Sequence, residues 1–193
     1  RPEPFAQGGT VSVGEDAVVY SRTSESGEGG RFSLTWEFPE WEKDTYVFVP
    51  ACIYNGNRDF TCQDRKDLSG FCYPPKFELS DLVRTDVRLV TDIPKLNEDG
   101  SGLIEVTTGD MATPCVGLYF PTARRGVLIF TAQQVRGRNI GYSIESGRVR
   151  VDCPANRKSV YAFCAPHLEN VDRPLALKAG DRVELPYAVM DFS

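Results

Sequence analysis

Hydrophobic positions along this chain recur with a period of two far more often than with a period near 3.6. In RFSLTWEF (31–38), Phe32, Leu34, Trp36 and Phe38 alternate with polar partners, as in a strand that buries one face. GRVRVDCP repeats the pattern through Val149, Val151 and Cys153. DTYVFVPACIY is denser in β-branched and aromatic residues; it suits a strand covered on both faces that breaks off at Asn55-Gly56. TVSVGEDAVVYS, LIEVTT, CVGLYF, GVLIFTAQQV, NIGYSIES, SVYAFC and RVELPYAVMDF are further strand candidates. Turn residues divide them: Gly-Glu-Gly-Gly at 27–30, Asn-Glu-Asp-Gly at 97–100, Arg-Arg-Gly at 124–126, Ser-Gly at 146–147 and Ala-Gly-Asp at 179–181. Helix signals reduce to ELSDLVRTD (78–86), with Ser80 as its N-cap. Many short strands joined by glycine-bearing turns predict an all-β fold, an antiparallel β-sandwich with few or short helices, over a single domain spanning 1–193.

Composition narrows the function. The formal charge of −5 opposes nucleic-acid binding, because Arg124-Arg125 and Arg136 to Arg138 are too small as basic groups to hold a phosphate backbone. No apolar run reaches the roughly 20 residues of a membrane-spanning helix, and no basic start precedes an apolar segment as in a signal peptide. The six cysteines, at 52, 62, 72, 115, 153 and 164, are sparse for a disulfide scaffold. Cys52, Cys115 and Cys164 read as small buried hydrophobes, whereas Cys62 and Cys72 flank a polar loop and are the pair to test for a bridge.

Catalytic and metal signatures are weak. His167 is the sole histidine, which rules out HExxH within this chain. Cys164-Ala-Pro-His167 would need Cys153 to complete a metal site, and the flanking Pro154 and Pro166 restrict both segments, so neither metal nor cofactor is expected. Nucleophile-elbow, Walker A and dinucleotide fingerprints do not occur. Glu37, Glu40, Glu42, Asp44, Glu105 and Asp110 supply carboxylates for a glycosidase pair, but among 27 acidic residues chance pairs are certain; most are expected on solvated strand faces and at turn caps.

Aromatic residues beside polar ones favour a sugar ligand. Ring faces stack on a pyranose while amides and charged groups bond its hydroxyls. Trp36 is core by its alternation; Trp41 follows Pro39, which interrupts the strand and turns Trp41 outward. Tyr54, Asn55, Asn57 and Arg58 place an aromatic face, two amides and a fixed charge within five residues. An arginine there grips a carboxylate through two donors, which suits an acidic sugar. Asn55-Gly56 is also a strong hairpin signal, yet the following NRDFTCQDRK is too charged to return as a strand, so a loop from Arg58 to Lys76 is expected instead.

In order, the segments WEFPEWEKDTYVFVPACIYNGNR, CYPP, TTGDMATPCVGLYFP and KAGDRVELPYAVMDF resemble the N-terminal galactose-mutarotase-like (supersandwich) domain of bacterial (α/α)6-toroid glycoside hydrolases. The resemblance implies that the catalytic acids belong to a helical domain outside these 193 residues, and that this chain is silent on its own. It also implies that the loops around Tyr54 to Arg58 and Asp110 to Thr113 face that domain or its substrate, in the periplasm or outside the cell. Three readings stay open: a non-catalytic module shaping the cleft of a glycoside hydrolase or lyase, an independent carbohydrate-binding module using Trp41, Tyr54 and Arg58, and a small glycosidase with paired carboxylates.

Overall fold

The structure is a computed structural model that describes residues 2–7, 10–22, 30–58, 96–157 and 172–192. The expected helix at 78–86, the strand SVYAFC, the Cys62–Cys72 pair, the loop beyond Arg58 and the Cys164–His167 segment lie outside the described residues.

The strands are β1 (Phe5–Gln7), β2 (Thr10–Val13), β3 (Ala17–Ser21), β4 (Phe32–Glu37), β5 (Tyr46–Phe48), β6 (Leu103–Thr107) and β7 (Cys115–Phe120). They continue with β8 (Arg125–Thr131), β9 (Gln134–Val135), β10 (Arg138–Asn139), β11 (Gly141–Glu145), β12 (Arg148–Cys153) and β13 (Arg182–Phe192). Among the described residues all pairings are antiparallel and build a five-stranded sheet, β1-β4-β12-β11-β6, and a six-stranded sheet, β2-β3-β13-β8-β7-β5, beside a small β9–β10 hairpin. The fold is an all-β sandwich.

The period-2 residues form its interior. Phe32, Leu34 and Trp36 of β4, Val149 and Val151 of β12, and Tyr142 and Ile144 of β11 face one way. Val183, Leu185, Tyr187 and Val189 of β13, with Val116, Leu118 and Phe120 of β7, face them from the other sheet. Aromatic rings lock the layers together: Trp36 meets Tyr187 edge-on at 5.7 Å, Phe38 meets Phe120 at 5.5 Å, and Tyr20 stacks on Phe32 at 5.2 Å. Such pairs add about 0.5–1.5 kcal/mol each beyond the area they bury.

Turn chemistry follows the sequence closely. Ser146-Gly147 closes the β11–β12 hairpin, with Gly147 at φ 73°, where a side chain would be strained. TVSVGEDAVVYS proves to be two strands folded on each other at Gly14, whose amide donates to Ala17 O. The strand expected through VFVPACIY ends early, at Phe48. Pro50 has no amide to continue a ladder, Ala51 turns left-handed at φ 69°, and the chain doubles back so that Val49 and Ile53 bridge each other.

The two sheets differ on their outer faces. On the five-stranded sheet the outward row is polar yet buried, with Ser33, Thr35, Glu105, Thr107, Ser143 and Asp152 all enclosed. On the six-stranded sheet the outward row is apolar and exposed, including Tyr46, Tyr119, Met190 and Phe192.

Trp36 is fully buried, and its indole N–H has no hydrogen-bond partner among the described residues. Trp36→Ala should therefore lose about 3–5 kcal/mol of unfolding free energy in urea titrations, the usual range for emptying a large aromatic site. Trp36→Phe should cost much less, because it removes an unsatisfied donor along with the extra volume.

Candidate functional site

The turn after Ile53 is where the Asn-Gly signal is realised. Asn55 and Gly56 both take positive φ, 50° and 62°, and the amide of Asn57 donates to Tyr54 O at 2.8 Å. Asn57 closes the same turn from its side chain: Oδ1 accepts from the Tyr54 amide and Nδ2 donates to Cys52 O. Gly56 is pressed beneath Leu96, whose Cδ1 would lie 3.0 Å from an added Cβ and whose amide donates to Gly56 O at 2.9 Å. Sterics and handedness together require glycine here.

Arg58, at the end of this turn, points back across the chain. Its two terminal nitrogens donate to the carbonyls of Lys43 and Thr45, and its Nε to Asn55 O at 3.4 Å. The guanidinium thus clamps the turn onto the segment entering β5. A third loop joins them: the Trp41 indole donates to Gly100 O at 3.2 Å, and Gly100 sits so close to Lys43 that a Cβ would come within 2.9 Å of its Cα. Glu42 accepts from both the amide and hydroxyl of Thr122, which lowers its carboxyl pKa and fixes the chain after β7.

Between these anchored loops lies an open cleft of about 470 Å³. Tyr46 and Tyr119, directly opposed on neighbouring strands, form its floor with Pro121. Asp44 and Glu98 stand on its rim, with Asn55 and Arg58 beside them. Asp44 and Glu98 make no hydrogen bond or ion pair among the described residues. The tyrosines are 40% and 45% exposed, enough for ring faces to meet a ligand.

The cleft opens onto the aromatic face of the six-stranded sheet. Cross-strand register places Phe192, Gly126, Tyr119 and Tyr46 in one row, and Met190, Leu128, Gly117 and Phe48 in the next. At strand spacings of about 4.8 Å each row spans ~14 Å. The glycines leave room for neighbours to lie flat: Leu128 and Phe48 close over Gly117, and Phe192 over Gly126. Tyr54, 58% exposed, extends the second row with its ring 5.6 Å from that of Phe48.

Of the residues singled out by sequence, Asn55 and Arg58 line the cleft and Tyr54 borders the aromatic face. Trp41 packs against the core, Asn57 holds its own turn, and Asp110 caps its loop by accepting from the Thr107 hydroxyl at 3.0 Å. Tyr46, Tyr119, Phe48, Phe192 and Glu98 were not singled out, although apolar residues at both parities of DTYVF, CVGLYF and RVELPYAVMDF signal strands with two apolar faces.

A second cleft, about 510 Å³ between the N-terminal residues and the β2–β3 turn, is lined by Pro2, Glu3, Pro4, Glu15 and Tyr187, whose ring is buried. Glu105, one of the candidate carboxylates, is not solvated but 1% exposed, because its parity in β6 sets it on the enclosed polar face. Asp152 shares that face; burial raises its carboxyl pKa, against the opposing pull of Arg150 and Arg31. Neither carboxylate reaches either cleft. Cys52, Cys115 and Cys153 are free thiols, with Cys153 pushed up to about 12 by burial, and no group of three metal-ligating side chains occurs among the described residues.

Two measurements check this construction. Arg58→Ala should destabilise the fold by about 1–3 kcal/mol by leaving carbonyls unpaired, and Arg58→Lys should recover only part of that, since an ammonium lacks the planar fork. For Asp152, the raised native pKa means that its proton is held more tightly in the folded state. The stability advantage of wild type over Asp152→Asn should therefore be largest near or below pH 3.8, the unperturbed value, and shrink as pH rises through the shifted pKa.

No known protein family, curated protein or solved structure matches this chain.

Proposed function

We propose that this chain is a non-catalytic β-sandwich module that binds carbohydrate on the outer face of its six-stranded sheet, as part of a carbohydrate-active protein working outside the cytoplasm. The observation that carries the reading is the row of exposed rings, Phe192, Tyr119 and Tyr46, running into a cleft bordered by Asn55, Asp44 and Glu98. Flat apolar rings next to hydrogen-bonding groups match the two kinds of surface of a pyranose. A large exposed apolar patch on a folded domain ordinarily marks an interaction site.

A catalytic reading has less support. Asp44, the one candidate carboxylate that lines the cleft, and Glu98 beside it are both exposed, and the perturbed Asp152 lies on the opposite sheet. A second role for the same face is supported by Met190 and Phe192, which place apolar side chains at the outer end of β13, where a helical catalytic domain would pack.

The test is titration of the chain with neutral and charged oligosaccharides by calorimetry. Tyr119→Ala and Tyr46→Ala should each weaken binding about tenfold, equivalent to ~1.4 kcal/mol, with unfolding midpoints close to wild type. Unchanged affinity in both variants would remove the ring row from the binding surface.

A further inference from the structure

We infer that the glycan recognised by this face is cationic: a chain of pyranose units bearing free amines, whose ammonium groups are held by Asp44 and Glu98 over the rings of Tyr46 and Tyr119. The inference rests on the carbohydrate reading above and adds a charge to its ligand.

Charge complementarity leads to this occupant. The one cation lining the cleft among the described residues, Arg58, directs its guanidinium onto the carbonyls of Lys43, Thr45 and Asn55. Three of its five N–H groups serve the loops, and with Nε donating to Asn55 O the fork of Nε and a terminal nitrogen is already engaged. Asp44 and Glu98, in contrast, are exposed at the rim with no partner of their own among the described residues.

The floor has the same preference. The faces of Tyr46 and Tyr119 carry the negative side of the aromatic quadrupole, which attracts an ammonium and repels an anion. The chain as a whole carries −5, so long-range steering works in the same direction. An acidic glycan on this surface would bring its carboxylates against two unpaired carboxylates. A neutral glycan would use the rings and leave both acids without a counter-ion. Amine-bearing pyranoses satisfy the apolar rows and the acidic rim at once.

Calorimetry with three oligomers separates the cases: a fully deacetylated glucosamine oligomer, its N-acetylated counterpart of the same ring and linkage, and an oligogalacturonate. The amine form should bind at least about tenfold tighter than the acetylated form, and the gap should narrow at ~0.5 M salt, where the Debye length falls to about 4 Å. Asp44→Asn combined with Glu98→Gln should reduce the amine form to the affinity of the acetylated one, while Glu184→Gln, in the half of β13 that pairs with β3, should leave the preference intact.

Equal binding of the amine and acetylated forms, or tightest binding of oligogalacturonate, would overturn the inference and leave the carbohydrate reading standing. Amine binding that survives Tyr119→Ala unchanged would reduce the effect to general attraction between opposite charges and overturn it. Binding of none of the three, with sedimentation showing a dimer that Phe192→Ser dissolves, would assign the face to a second copy of the chain and remove both readings.

Discussion

The strand β13 has to satisfy two layers and two neighbours at once. Its first half, Arg182–Pro186, pairs with β3, and its second half, Tyr187–Phe192, pairs with β8, so the six-stranded sheet is joined at its middle through this one strand. The changeover falls at Pro186. Successive amides alternate sides, and the Tyr187 amide donates towards Asp16 on the β3 side. The N–H that Pro186 lacks therefore falls on the β8 side, past the last paired residue, Thr131, where no ladder bond is lost. From this strand Val183, Leu185, Tyr187 and Val189 enter the core, and Tyr187 meets Trp36 of the facing sheet. The same alternation sends Met190 and Phe192 outward, so closing the sandwich and laying out the aromatic face are consequences of one register.

The cleft depends on a different principle, the satisfaction of backbone carbonyls. Between Val49 and Arg58 the chain makes a tight return and a left-handed turn, neither of which pairs all its carbonyls in a ladder. Arg58 supplies donors to three carbonyls from two segments, and Trp41 supplies one to a third segment. An irregular region built this way is held by a few multivalent side chains, not by continuous sheet bonding. The walls carrying Asp44, Asn55 and Glu98 are thereby set around rings whose own positions are fixed by β5 and β7.

The two outer faces differ in the same physical terms. Polar groups on the five-stranded sheet are enclosed, and burial raises the pKa of Asp152 even with Arg150 at 3.2 Å. Apolar rings on the six-stranded sheet are open to water. Each arrangement reverses the usual preference of its side chains, and among the described residues it is the second that exposes apolar surface.

The sequence by itself determined the all-β class, most strand positions, the inward set of residues and the turn chemistry at Ser146-Gly147 and Asn55-Gly56. These follow from local rules: the side-chain period of a strand and the few residues that tolerate positive φ. It did not determine that VFVPACIY stops at Phe48, since the tertiary bridge between Val49 and Ile53 overrides a run of strand-forming residues. Nor did it reveal that Arg58 is a clamp, because the carbonyls it serves are 13 and 15 residues away. Only the tertiary structure brought Tyr46, Tyr119 and Phe192 into one row. Periodicity tells which face of a strand a residue occupies, whereas the neighbours across that face are set by strand order and register, and those are decided by long-range packing.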